Sequence, residues 1–160
     1  MPVMVVGADT ENGRALVVGL VAPGREVRAF VSDPGSVAEL RAMGVKVALG
    51  DVSDESHIQG SLTNCFTVVL VTEAARDTRE RAFATTELQV MRGWAAAAAA
   101  SGVTRVIWVH DGDCPPVESA ETGQVSPGSP GLVEEVVALD DARVIPEERR
   151  SAEDEERALD

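Results

Sequence analysis

The fold of this chain is decided by its first thirteen residues, MPVMVVGADTENG (Met1–Gly13). The run Val3–Val6 is wholly apolar, which is typical of a parallel strand that is covered on both faces. A turn follows at once, with glycines at its two ends, Gly7 and Gly13. Those glycines permit a tight turn and the close packing of a helix on the strand. The stretch therefore predicts a buried strand, a glycine turn and the start of a helix.

The composition limits both the architecture and the partners. Of the 160 residues, 44% are hydrophobic but only 3% are aromatic, and there is no tyrosine, so a core must consist mainly of Val, Ala and Leu. That length suits one domain. The net charge of -13 and the pI near 4.5 repel polyanions. We therefore expect neither nucleic acid nor a membrane as a partner.

The cysteines and the N-terminus favour a cytoplasmic protein. Two cysteines, Cys65 and Cys114, give no disulfide framework. The start of the chain lacks the basic and apolar regions of a signal peptide. No run approaches the roughly 18 apolar residues of a membrane span. We expect a cytoplasmic location.

Strands and helices alternate beyond the glycine turn. Apolar runs and helix signals predict strands at Glu26–Val31, Val45–Leu49, Cys65–Val71 and Arg105–Val109, and helices at Arg14–Val21, Val37–Met43, Ser53–Leu62 and Thr78–Ser101. Ser36 and Glu39 have capping-box spacing, and Gly44 is predicted to end its helix in the left-handed conformation. The alternation predicts a three-layer, doubly wound parallel sheet of five or six strands, with the order 3-2-1-4-5 and ligands at the carboxyl ends of the strands.

The regular pattern ends after the fifth strand. Residues 113–131 contain four prolines among Gly, Ser and Glu, which predicts a long irregular loop. We predict a further helix at Leu132–Leu139 and a short sixth strand at Ala142–Ile145. The domain then spans residues 1–146, and the acidic residues 147–160 form a frayed helix or a disordered tail.

The chain resembles the NmrA-like and related atypical short-chain dehydrogenase/reductase proteins, in order and spacing, over about residues 1–109. The segments that carry the resemblance are Val5–Ala8 with Gly13, Glu26–Pro34, Gly44–Val45 with Gly50–Val52, and Ser101–Ile107. Proteins of this family are Rossmann proteins that bind NAD(P). The resemblance implies a Rossmann-like domain with a dinucleotide as its partner.

The resemblance also implies particular cofactor contacts. The family's three glycine positions hold Gly7, Thr10 and Gly13, so a threonine replaces the middle glycine. Asp33 falls where an acid holds the ribose of NAD, and Ser32 replaces an arginine that many relatives present to the 2′-phosphate of NADP, which favours NAD over NADP. The implied cofactor-binding residues are Gly7, Thr10, Glu11, Asn12, Gly13, Ser32, Asp33, Asp51, Val52 and Thr72.

Other roles for the acidic residues remain open. Asp33 is equally suited to cap a helix that begins at Pro34. Asp9 and Glu11 bring carboxylates near the expected pyrophosphate, which weakens dinucleotide binding unless these side chains turn away from it.

No residue is assigned a catalytic role. The tyrosine and lysine of classical short-chain reductases are missing, since the chain has no tyrosine and its one lysine, Lys46, lies inside the third predicted strand. A second cluster, His110–Cys114, combines imidazole, carboxylate and thiol groups. A metal site or a reactive thiol there is one interpretation and a solvated loop is the other, and we predict no metal site.

Three functions follow as hypotheses. The first is an NAD(P)-binding, NmrA-like protein that acts as a nucleotide-dependent binder or sensor with little classical reductase activity. The second is an NAD(P)H-dependent oxidoreductase that takes a small carbonyl or quinone over Thr72, Glu73 and His110. The third is a degenerate Rossmann module that binds no nucleotide and acts as a protein-interaction subunit. The alanine-rich helix also leaves a homodimer or a protein partner open.

Overall fold

The computed structural model describes residues 2–76 and 81–142. Its strands are β1 (Val3–Val6), β2 (Val27–Val31), β3 (Lys46–Leu49), β4 (Thr67–Val71), β5 (Arg105–Val109) and β6 (Glu121–Val125). Its helices are α1 (Glu11–Val21), α2 (Val37–Ala42), α3 (Glu55–Ser61), α4 (Glu73–Arg76), α5 (Glu87–Ser101) and α6 (Leu132–Asp141), with a short 3-10 turn at Pro34–Ser36.

The six strands form one parallel sheet in the order β3-β2-β1-β4-β5-β6. Helices α3 and α5 cover one face, where Phe30, Trp94 and Trp108 are buried. Helices α1, α2 and α6 cover the other face, which is filled mainly by Val and Leu. The predicted three-layer, doubly wound α/β fold and its strand order are confirmed. The order reverses between β1 and β4, where such sheets bind ligands.

The last strand corrects two predictions. The irregular loop predicted for residues 113–131 was wrong at Glu121–Val125, which pairs with β5 as β6. The sixth strand predicted at Ala142–Ile145 is wrong at Ala142, which follows α6 in a turn. Residues 143–146 and the predicted tail at 147–160 lie outside the described residues. The strand β6 was missed because it lies at the sheet edge and its sequence, ETGQV, is mostly polar.

The start of the long helix and the cap of α2 also differ from the prediction. The long helix predicted from Thr78 begins at Glu87, because the Thr86 hydroxyl accepts the Gln89 N–H at 3.1 Å and caps it. The predicted capping box is wrong as well, since the Ser36 hydroxyl donates to the Asp33 carbonyl at 2.8 Å and makes no side-chain cap of α2. Gly44 has the predicted left-handed conformation, with φ +84°. Within residues 2–76 and 81–142, no helix has the length and apolarity to cross a bilayer.

Candidate functional site

Polar residues gather where the strands end. Gly7 follows β1, Ser32 and Asp33 follow β2, Thr72 follows β4, and His110 follows β5. Because the strands are parallel, their carboxyl ends share one edge of the sheet, on the two sides of the switch point between β1 and β4. This edge is the candidate site.

The glycine turn is packed too tightly for a side chain at Gly7. Its φ is +89°, a conformation that glycine adopts without strain. A Cβ there would lie 2.9 Å from the Ala74 Cβ and 3.0 Å from the Val71 carbonyl oxygen. The Gly7 N–H donates to the Phe30 carbonyl at 3.0 Å. Helix α4 and strand β2 therefore hold the turn from both sides.

Thr10 closes this turn on itself. Its hydroxyl donates to the Gly7 carbonyl at 2.6 Å and accepts the Gly13 N–H at 3.0 Å, which makes it the N-cap of α1. The amides of Glu11 and Asn12 also precede any intrahelical acceptor and carry the positive end of the helix dipole. The Thr10 hydroxyl thus occupies one helix amide, that of Gly13. The two first-turn amides of Glu11 and Asn12 face outward, which is the arrangement that binds anions.

Asp9 turns away from the N-terminus of α1 and onto the end of β2. Its Oδ2 accepts the Ser32 N–H at 3.0 Å, the Ser32 hydroxyl at 3.3 Å and the Asp33 N–H at 3.0 Å. The negative charge of Asp9 therefore lies at the β2 end, where these three donors bind it. The sequence analysis considered Asp9 only as a charge opposing pyrophosphate, and no local signal shows this contact across 23 residues of chain.

Asp33 is the N-cap of the 3-10 turn. Its Oδ1 accepts the Gly35 N–H at 2.9 Å, and the residue is exposed. The capping role that the sequence left open for Asp33 is thus the one that the structure displays.

Asp51 ties the β3 end to the segment that leads into α5. It accepts bonds from the Ser53 N–H and hydroxyl, at 2.8 and 2.6 Å, and from the Ala82 N–H at 2.7 Å. Burial alone raises the pKa of Asp51, but these hydrogen bonds and the charge of Arg81 outweigh it and lower the pKa below its ordinary value. The side chain of the neighbouring Val52 is buried in the core, and its carbonyl accepts the Trp94 indole N–H at 2.7 Å.

One contact joins the halves of the site across the switch point, and a second joins the ends of β4 and β5. The Asn12 amide donates to the Glu73 carboxylate, which links α1 to α4. The Thr72 hydroxyl lies 3.0 Å from the Val109 carbonyl oxygen and 2.7 Å from the His110 Nδ1. The structure thus brings Thr72, Glu73 and His110 to one place, as the oxidoreductase hypothesis requires.

The side chains of the His110–Cys114 cluster do not converge. His110 contacts Thr72, Asp111 accepts the Ser126 hydroxyl at 2.6 Å, and the Cys114 thiol faces the Gly112 carbonyl at 4.0 Å. Among the described residues, no group of three His, Cys, Asp or Glu side chains could hold a metal ion. Burial and the nearby Asp113 carboxylate raise the pKa of Cys114 to about 11.

Cys114 should therefore react slowly with alkylating reagents. The thiolate is the nucleophile, so at pH 8 iodoacetamide should label Cys114 on the order of a hundredfold more slowly than a free thiol. The rate should rise with pH up to about 11. Mass spectrometry of the peptides separates Cys114 from the buried Cys65, and urea-unfolded protein is the control. Rapid labelling of the folded protein at neutral pH would contradict this prediction.

Comparison with known proteins agrees with this geometry. The profile of a family described as NAD(P)H-binding matches residues 7–136. A triphenylmethane reductase of Citrobacter sp., solved with NADP(H), shares 19% identity over 68% of this chain and 36% of its own, with a TM-score of 0.57. An NADPH-dependent quinone oxidoreductase of Escherichia coli, solved with NADPH, shares 22% identity over 66% of this chain and 35% of its own, with a TM-score of 0.55.

An anaerobillin reductase of Escherichia coli is similar at the same level, with 19% identity over 69% of this chain and 51% of its own and a TM-score of 0.54. The chain therefore spans about one third to one half of the length of these three proteins. No curated protein sequence matches it significantly.

The family match begins at Gly7 and extends into α6, so it includes the glycine turn, all the strand ends of the site and five of the six strands entire. Together with the parallel sheet and its switch point, this match shows that the chain belongs to the NAD(P)H-binding family of Rossmann domains, as its resemblance to NmrA-like proteins implies.

Proposed function

We propose that this chain binds NAD(H) in preference to NADP(H) and acts as a nucleotide-dependent binder or sensor. The observation that carries the proposal is the Asp9 carboxylate, which accepts three hydrogen bonds at the end of β2, beside a glycine turn of dinucleotide-binding type.

The residues of the turn fit a dinucleotide. Gly7 gives the tight, closely packed turn of a dinucleotide-binding fold, and the first-turn amides of Glu11 and Asn12 would donate to a pyrophosphate. The adenosine half would then lie over β2 and β3, and the nicotinamide half over β4 and β5. The Glu73 carboxylate, held by Asn12 at the N-terminus of α1, opposes the phosphate charge. We expect modest affinity for this reason.

Asp9 supports the preference for NAD(H). A 2′-phosphate bound at the end of β2 needs hydrogen-bond donors. The Ser32 N–H, the Ser32 hydroxyl and the Asp33 N–H could donate to it, but Asp9 already accepts from all three. Its negative charge also repels a phosphate at that point. The 2′-hydroxyl of NAD carries no charge and can itself donate to a carboxylate.

The Asp9→Asn variant should lose this preference. The amide keeps an acceptor oxygen for the Ser32 and Asp33 N–H groups but removes the charge, so the ratio of the NADP to the NAD dissociation constant should fall about tenfold or more. Asp33→Asn is the matched control. Because the Asp33 carboxylate is exposed and already accepts the Gly35 N–H, that ratio should change less than about threefold.

Calorimetric titration of the wild type and both variants with NAD(H) and NADP(H) tests the proposal. If no dinucleotide binds the wild type at millimolar concentration, the proposed function is wrong and the interaction-module hypothesis takes its place. If Asp33→Asn changes the ratio of the two dissociation constants more than Asp9→Asn does, Asp33 rather than Asp9 determines the selectivity.

Reduction of a small carbonyl or quinone is the second candidate. The contact between His110 and Thr72 favours it, because it brings an ionisable group to the strand ends over which the nicotinamide would lie. The missing tyrosine and the position of Lys46 inside β3, at the far side of the sheet, argue against the classical reductase mechanism.

A further inference from the structure

The backbone of His110 is fixed by β6, the strand at the sheet edge. Its N–H donates to the Val125 carbonyl at 3.1 Å, and its carbonyl accepts the Gln124 side-chain amide at 2.9 Å. The imidazole is largely buried, with 12% of the side chain exposed. His110 is therefore held in one place at the end of β5, unlike a residue of a solvated loop.

The contacts of Thr72 favour a proton on the Nδ1 of His110. A hydroxyl has one proton to donate, and the Val109 carbonyl, 3.0 Å away, can only accept. With its proton on Val109, the Thr72 oxygen accepts from the Nδ1–H of His110 at 2.7 Å. The neutral ring is then protonated at Nδ1 and basic at Nε2.

A carboxylate near the ring acts in the same direction. A Glu87 carboxylate oxygen, at the start of α5, lies 3.9 Å from the same Nδ1 and favours a proton there. Arg76 of α4 holds this carboxylate, with Nε 3.3 Å from the same oxygen. Both of these contacts of the ring are made at Nδ1, which leaves Nε2 as the nitrogen that could exchange a proton with a ligand.

We propose that His110 is the proton-exchanging group of this site and acts at Nε2 on the oxygen of a carbonyl or quinone substrate. The inference rests on the proposed dinucleotide binding and develops the oxidoreductase candidate. The substrate would lie over the ends of β4 and β5, beside the nicotinamide half of the dinucleotide. Thr72 and Glu87 are positioning residues, since both act through the ring.

The reaction balances without a further reactant. A bound NADH would supply the hydride that adds to the carbonyl carbon, leaving NAD⁺, while the π pair of the C=O bond would move to oxygen. That oxygen takes the Nε2 proton of the imidazolium, which leaves the neutral Nδ1–H ring that Thr72 stabilises. Water then restores the proton, so one carbonyl, one NADH and one proton give one alcohol and NAD⁺.

A first test measures the ring itself, independently of turnover. Nitrogen-15 NMR of the full chain should show neutral His110 as the Nδ1–H tautomer, with an Nε2 resonance that shifts when NADH is added. Thr72→Val should lose the tautomer preference. A wild-type ring protonated at Nε2, or an Nε2 resonance that NADH leaves unchanged although calorimetry shows NADH binding, overturns the inference.

A second test measures NADH oxidation with menadione and with methylglyoxal. His110→Gln should slow turnover about a hundredfold and leave the dissociation constant of NADH within about twofold. It should also abolish the fall in rate at high pH, because the proton donor is no longer a histidine.

His57→Gln is the matched control, because His57 is the chain's other histidine. It lies on α3 and packs against Phe30 of β2, away from the β5 end. It should leave rate and pH profile unchanged. Equal rates for wild type and His110→Gln overturn the inference, as does NADH binding without turnover of either acceptor. Absence of NADH binding is the separate result that rejects the proposed function.

Discussion

Gly13→Ala should destabilise the protein by about 3 kcal/mol and abolish dinucleotide binding. The added Cβ would lie 1.9 Å from the Gly7 carbonyl oxygen and 2.8 Å from the Thr10 hydroxyl. The oxygen belongs to the backbone of the buried turn, so it cannot swing aside as a flexible side chain would. The turn must move away from α1, and the Gly7–Thr10–Gly13 hydrogen bonds that shape the site are lost with it.

Thermal and urea denaturation measure this effect. For a chain of this length the melting temperature should fall by roughly 6–12 °C. Gly60→Ala is the control, since a Cβ on that exposed residue of α3 meets nothing within 4 Å. Because alanine favours a helix more than glycine, the control should be stabilised by about 0.5–1 kcal/mol. A Gly13→Ala protein as stable as the wild type would show that the turn does not need this close approach.

Asp140→Ala should cost about 3–5 kcal/mol, because it leaves a guanidinium without its buried partner. Asp140 lies near the end of α6 with its side chain 1% exposed, and its Oδ2 is 2.9 Å from the Nε of Arg25, which follows α1. This ion pair fastens α6 to the rest of the domain. Where α1 and α6 meet, a Cβ on Gly19 would come within 2.3 Å of Val133, so the two helices already pack closely.

The neighbouring Asp141 supplies a matched control. It also pairs with Arg25 but is 60% exposed, so Asp141→Ala should cost less than about 1 kcal/mol. The double variant Arg25→Met with Asp140→Ala should recover much of the loss, since no charge is then left buried. Equal costs for Asp140→Ala and Asp141→Ala in urea denaturation would show that burial of the pair is unimportant.

The sequence was sufficient for the parts of the fold that local patterns encode. The unbroken apolar run of β1 is completely buried, as such a run predicts. Gly44 and Gly102 end their helices with positive φ, because a position that needs the left-handed conformation selects glycine. Since burial and backbone conformation are properties of each segment, five strands and the doubly wound order were predictable from the sequence.

Tertiary structure alone decided β6, the direction of Asp9 and the contact between Thr72 and His110. Strand β6 has little apolar signal, because an edge strand is only partly covered. Asp9 contacts residues 23 and 24 positions away, and Thr72 meets His110 across 38 positions. Such bonds exist only where the parallel strands bring their carboxyl ends to one edge. The sequence by itself therefore determined a dinucleotide-binding scaffold. The folded edge decided which donors Asp9 occupies and which ring nitrogen of His110 contacts Thr72, since hydrogen bonds depend on distance in space rather than along the chain.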